Sequence, residues 1–357
     1  MLEVAENDSA DIRERPPRLR LGRLAIPVPL ARFLHRPESG AFIGTAGVFI
    51  VFSIAGTGGF LSETGIASCL DVAAPLGIIA VPVGLLMMAG QLDLSIGSVV
   101  AASSLVVPIA SGHYGLPIAV GIALALGLGV ATGLINAVIT ARTRLPSFIV
   151  TLGTMLAVSG LTLGLSRLLT GSVAVAMQPP TVAREIFAAT WKGQFEVSIV
   201  WWIGISVICA WVLHATRYGN WILATGGDAE AAHTAGVPTK RVNAYLFMST
   251  GFAAALVGVI QTITYGGSQV NTGQPYVFNA IIAVVIGGIL LTGGYGSVIG
   301  IVLGVLTYCI VSQGIYFTQW NSDWASAILG GLLLAAVIAN NTFRRLALSY
   351  TAKGESG

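Results

Sequence analysis

The chain has 357 residues, of which 55% are hydrophobic and 9% charged, with a mean hydropathy of +0.83. A soluble domain carries roughly 25% charged residues, so this composition excludes one and reads as an integral membrane protein. The net charge of +3 comes without a basic face interleaved with aromatics, which sets nucleic-acid binding aside.

Residues 1–40 open the chain as a polar tail, DIRERPPRLRLGR mixing arginine with acidic residues, unlike a secretory signal or an acid-poor transit peptide. The tail is expected in the cytoplasm, its basic part fitting either an inner-leaflet surface helix or a disordered segment. Apolar runs then follow at roughly 41–60, 66–89, 95–112, 116–141, 146–169, 197–215, 242–263, 276–292, 296–317 and 323–341. Each is continuously apolar and close to the roughly 20 residues a spanning helix needs. The predicted fold is all-α: a polytopic membrane helix bundle of about ten transmembrane helices over 41–341, followed by a cytoplasmic tail at 342–357. Barrel strands would instead alternate.

Arg142 and Arg144 follow the fourth run, Arg217, Lys240 and Arg241 the sixth, and Arg344 and Arg345 the tenth. All fall on the side of the arginine-rich N-terminus, so the positive-inside rule puts both termini in the cytoplasm. The 170–196 loop then faces outward. The 45 glycines cluster with small neighbours, as in GIALALGLGVATG (121–133), and read mainly as close helix packing. A weaker echo links LDLSIGSVVA (92–101) with GGYGSVIGIV (293–302), each a break followed by Gly-Ser and a new span.

Within AGQLDLSIGS (89–98) the carboxylate of Asp93 ends an oily run. The expectation is that Asp93 or Ser95 caps the N-terminus of the third span and so stays out of the apolar phase. Enzyme chemistry is sparse. No GxxxxGK[ST] precedes Lys192, Lys240 or Lys353, so the chain cannot hydrolyse ATP by that route. His35, His113, His214 and His233 are scattered without metal-ligand spacing, no GxSxG elbow occurs, and Cys69, Cys209 and Cys309 sit singly in apolar runs. The chain is expected to bind no metal or cofactor. Asp71, Asp93 and Asp323 are the intramembrane acid candidates, each near a span end, which disfavours an ion-coupled carrier.

The loop at 216–241 carries a self-contained signal. Asp228 can N-cap, Ala229 to Ala235 favour helix, Gly236 can take the left-handed terminal position, and Pro238 stops continuation. A helix of about two turns is expected there, flanked by loop, either lying on its own bundle or docking a separate cytoplasmic protein.

TGGDAEAAHTAGV resembles the coupling-loop motif of bacterial ABC-transporter permeases of the ribose, xylose, galactose and autoinducer-2 type, with Gly226, Gly227, Glu230, Ala231, Ala232 and Gly236 matching. AGQLDLSIGS is similar to that family's GGIDLSVGS, matching at Gly90, Asp93, Leu94, Ser95, Gly97 and Ser98. LPSFIVTLGTM (145–155) and AVVIGGILLTGGYGSVIG (283–300) resemble two further segments. Gln91, His233 and Tyr295 depart from the pattern, the last two replacing common arginines. The resemblance implies a bacterial inner-membrane subunit importing a monosaccharide or related neutral polyol. Its implied partners are a second permease subunit, identical or paralogous, an ABC subunit that uses ATP, and a periplasmic sugar-binding protein. Residues 226–236, with Asp228, Glu230 and His233, would transmit the ATPase stroke. A neutral sugar needs polar groups and apolar faces in the pathway, for which Asn136, Thr154, Gln261, Phe278 and Asn279 are candidates, although buried Asn often joins helices. A permease for a nucleoside or branched-chain amino acid, and an ion-coupled secondary carrier, are the alternatives.

Overall fold

In lipid a backbone can satisfy its polar groups only within its own segment or a closed barrel, and the uninterrupted apolar runs choose the helix. The computed structural model describes residues 38–56 and 58–338; the tail at 1–37 and that at 342–357 lie outside them. The helices are α1 (Ser39–Ala55), α2 (Glu63–Met88), α3 (Ile96–Val107, continued as a π-turn over Pro108–His113), α4 (Ile118–Thr143), α5 (Ser147–Thr170), α6 (Thr181–Phe187) and α7 (Ser198–Ala215). They continue with α8 (Arg217–Gly227), α9 (Ala229–Thr234), α10 (Thr239–Tyr265), α11 (Gln274–Ile286) and α12 (Val298–Gly314), and end with α13 (Trp324–Ile338).

Seven of these are long and apolar enough to cross a membrane, α2, α3 with its π-turn, α4, α5, α7, α10 and α12 with its terminal turn. Three of the ten expected spans are instead the shorter apolar helices α1, α11 and α13. The expected 276–292 span stops at Ile286 because Gly287 and Gly288 follow, Gly288 at φ +90°. Two minimal ribbons interrupt the helical pattern: β1 (Ala174–Ala176) pairs antiparallel with β4 (Gly267–Gln269), and β2 (Thr190–Trp191) with β3 (Phe195–Glu196). Both involve the 170–196 loop, where backbone on either side of α6 pairs its polar groups in strands instead.

Gly90, Arg144, Ala229, Lys240 and Leu291 line one cleft, which collects the basic linkers at one end. The β1–β4 pairing ties two linkers at the other. At that end burial, and then the neighbouring charge of Asp71, raise the Glu196 carboxyl above the usual carboxylate range. Helices α2 and α10 form the centre, 83% and 78% buried over their most apolar stretch, against 17% for α5 and α7. The latter two therefore present their apolar surface to lipid or to a neighbouring subunit.

Helix α3 begins inside the bundle, and α11 begins against it at the buried Gly273, with Gln274 and Pro275 exposed. The chain turns back after α2 through an extended stretch and starts α3 at Ile96, while from β4 it dips inward and starts α11 at Gln274. The two starts meet: a Cβ on Gly97 would lie 2.8 Å from the Gly273 carbonyl oxygen and against Val277. Nearby, Thr262 of α10 donates to the Ser104 carbonyl at 2.5 Å and the Ser104 and Ser268 hydroxyls lie 2.6 Å apart. The Thr262 bond meets the Ser104 carbonyl that Pro108, four residues on and without an N–H, cannot.

Candidate functional site: the junction at the α8–α9 break

The 216–241 segment is more helical than its composition indicates. Residues 217–227, expected as loop, form α8, an amphipathic helix whose start is capped by the Thr216 hydroxyl accepting from the Tyr218 N–H at 3.2 Å. Ile222 is buried, and the Arg217 guanidinium lies 5.3 Å from the Trp221 ring. Aromatics and a cation on a short amphipathic helix suit the membrane interface. A sharp break follows. Asp228 adopts φ −155°, ψ 105°, and its carboxylate accepts from the N–H groups of Glu230 at 3.0 Å and Ala231 at 2.9 Å. Helix α9 ends where Gly236 takes φ +89° and Pro238 prevents continuation. Of its residues Ala232 is buried, while Glu230, Ala231 and His233 are exposed. Asp228→Ala should cost the α9 segment about 1 kcal/mol; faster amide hydrogen exchange confined to residues 229–235 is the expected readout.

Where α8 ends, three linkers meet backbone to backbone. The Gly294 N–H donates to the Met88 carbonyl at 2.8 Å. A Cβ on Gly226 would run into that carbonyl and would lie 2.5 Å from the Gly294 nitrogen. Gly90 (φ +76°) and Gly293 (φ +79°) complete the contact. The two segments that echo each other in sequence are thus the ones that touch the α8–α9 break. Gly227 has open space around it, and Tyr295 is 44% exposed on the same linker.

Four and six residues on from Met88, the extended stretch is pinned by α5. Ser147 accepts the Leu92 N–H at 2.9 Å and Thr151 that of Leu94 at 3.1 Å. Between them Asp93 turns inward and is 1% exposed. Its carboxylate accepts from the Ser95 N–H (2.9 Å), the Ser95 hydroxyl (2.6 Å) and the Thr250 hydroxyl of α10 (2.7 Å), with the Asn136 amide of α4 at 3.5 Å. Asn136 also donates to the Ser95 hydroxyl at 2.9 Å. The expectation that Asp93 caps α3 and avoids the apolar phase is corrected. Ser95 occupies the N-cap position in helical geometry with no side-chain cap bond, and Asp93 closes a turn onto Ser95 before the helix starts. A buried carboxylate is tolerated there because hydroxyl and amide donors surround it.

The pathway candidates separate. Asn136 is fully buried and joins α4 to the break. Thr154 turns its hydroxyl back onto the Val150 carbonyl of its own helix at 3.0 Å. Gln261 donates to the Tyr276 hydroxyl at 2.6 Å. Phe278 is 69% exposed and Asn279 half-buried on α11, the helix that starts against the bundle after Gly273. Ser98 donates to the Ser95 carbonyl at 2.7 Å. Thr250, Ser147 and Thr151 carry the Asp93 stretch and were not singled out in sequence. Ser147 and Thr151, four apart on one helix face, were the available signal.

Residues 65–337 match the family described as the branched-chain amino acid transport system permease component. The chain belongs to that family. The permease is 30% identical over 325 residues to the fructose import permease protein FrcC of Rhizobium meliloti, covering 89% of each chain. It is 30% identical over 292 residues to the ribose import permease protein RbsC of Escherichia coli K12, covering 79% of this chain and 87% of the relative. It is 29% identical over 268 residues to the autoinducer 2 import system permease protein LsrD of Photorhabdus laumondii, covering 74% and 80%. No solved structure matches it. The permease is therefore a multi-pass membrane subunit of a transport system, and three of its four motif segments meet the fourth, AGQLDLSIGS, at or just before its extended stretch.

Proposed function

We propose that this permease forms the translocation pathway of an ATP-driven importer in a bacterial inner membrane and that its solute is a monosaccharide or related neutral polyol. A separate ATP-binding subunit docks on Asp228–Gly236, a periplasmic binding protein delivers solute to the outer face, and a second permease subunit completes the pathway. The observation that carries the reading is the direct backbone contact of Gly226 with Met88 and Gly294. A push on α9 reaches, through this junction, the stretch holding Asp93 and then α10 through Thr250. Packed elements with two arrangements convert such small displacements into larger ones. The relatives named for fructose, ribose and autoinducer 2 import support a hydroxylated solute, as does the exposed Phe278 beside Asn279, an apolar face next to an amide.

In proteoliposomes holding the permease, its ATPase and the binding protein, sugar uptake should require ATP. Uptake that persists without the ATPase and collapses with the proton gradient would overturn the reading. Glu230→Lys, on the exposed side of α9, should reduce ATPase co-purification several-fold while leaving permease yield unchanged. Undiminished recovery of the complex would remove α9 from the docking surface.

A further inference from the structure

No charged residue occurs between Arg241 and Asp323, yet residues 269–279 hold four amides, Gln269, Asn271, Gln274 and Asn279, a density no other stretch of equal length reaches. This neutral polar segment does not lie at an end of the bundle. A Cβ on Gly273 would meet the Gly97 carbonyl and would lie 2.9 Å from the Ala101 nitrogen of α3. Ala101 stands 12 residues short of the end of that span at His113, about 18 Å of helix. Gly273 therefore sits near the middle of a hydrocarbon core about 30 Å thick. Hydroxyls hold the loop there: Ser268 lies 2.6 Å from Ser104, and Thr272 donates to the Gln269 carbonyl at 2.8 Å. The side chains of Asn271 and Gln274 take no part in those bonds and are exposed.

An exposed amide at that depth is costly against lipid, and polar side chains in a membrane face a water-filled cavity or another protein surface instead. The arrangement says what the cavity carries. Gln274 and Phe278 are four apart on α11 and both exposed, which sets an amide one turn from a ring on the same face. Asn279, half-buried, flanks the ring. Each amide offers a donor and an acceptor to a hydroxyl, the ring offers an apolar face to C–H groups, and no charge is present to hold an ion. We propose that Asn271 and Gln274, together with Phe278, are solute-contacting residues that select a neutral polyhydroxylated ring midway through the membrane. This rests on the reading of the chain as a permease for such a solute.

Cysteine accessibility in membranes holding the full-length permease, with Cys69, Cys209 and Cys309 replaced by alanine, tests the surface without ATP or partner proteins. Gln274→Cys and Asn271→Cys should react with a hydrophilic methanethiosulfonate at least tenfold faster than Leu156→Cys, a position 64% exposed on the apolar helix α5. D-ribose or D-fructose in excess should slow that reaction at least threefold, and potassium glutamate of equal osmolality should not. In the uptake assay Gln274→Ala should raise KM at least tenfold with kcat unchanged. Reaction as slow as that of Leu156→Cys would place the segment against lipid and overturn the proposal. A disulfide joining two copies of the Gln274→Cys chain would make the face a subunit contact and overturn it as well, as would fast reaction that neither sugar slows. If Gln274→Cys does not reach the membrane, Asn271→Cys decides. Labelling needs no ATPase, so a failure of the importer reading in the uptake assay is separable from a failure here.

Discussion

Replacing Asp93 by Asn should lower the stability of the permease by about 2–4 kcal/mol, read as a drop in thermal unfolding temperature in detergent and in monodisperse yield. The carboxylate accepts three bonds at 2.6–2.9 Å from groups on two segments, and a hydrogen bond to a charged group contributes about 1.5–3 kcal/mol. Asparagine keeps the volume but turns one oxygen into a donor that faces Thr250 or Ser95. Thr250→Val removes only one of those bonds and should cost about half as much, since one charge-assisted bond is worth roughly 1.5–3 kcal/mol. Equal unfolding temperatures for Asp93→Asn and the unaltered chain would show that the carboxylate holds nothing together.

The second large effect is expected at Gly226. Any Cβ there meets the Met88 carbonyl and the Gly294 nitrogen, both backbone groups that cannot swing aside. Gly226→Val should therefore part the junction, cost about 1–3 kcal/mol by overpacking, and reduce ATP-driven uptake at least tenfold at equal membrane abundance. Gly227→Val is the comparison, because nothing lies within 4 Å of a Cβ at that position. A Gly227 variant as inactive as the Gly226 variant would argue that the loop needs flexibility there rather than contact.

These two sites show which parts of the molecule could be read in advance. The α9 helix, its Asp228 cap and its Gly236 terminus were legible because capping and turn chemistry act over a few residues. The positions of the long helices followed from apolar length. Helix α8 was not recognised, since RYGNWILATGG looks polar on average and its apolar residues gather on one face only once it is helical. The surroundings of Asp93 were beyond reach for a different reason. Its partners come from positions 95, 136 and 250, and a single sequence carries no record of which distant hydroxyl faces a given carboxylate. The junction of Gly90, Gly226 and Gly294 has the same origin: three motifs visible separately, whose meeting only the fold supplies.

The helix that starts at Gln274 has 13 residues, about 20 Å of rise, while a bilayer core is about 30 Å thick. Such a segment does not partition into lipid unaided as it leaves the ribosome and the insertion machinery. Its N-terminal end is completed by Gly97, made some 180 residues earlier, and its C-terminal end packs at Gly287 against Gly300 and Gly304 of the helix made next. Biogenesis of this region is thus a cooperative act. The segment is short of a full span on its own and is completed at both ends by contacts that exist only in the folded bundle.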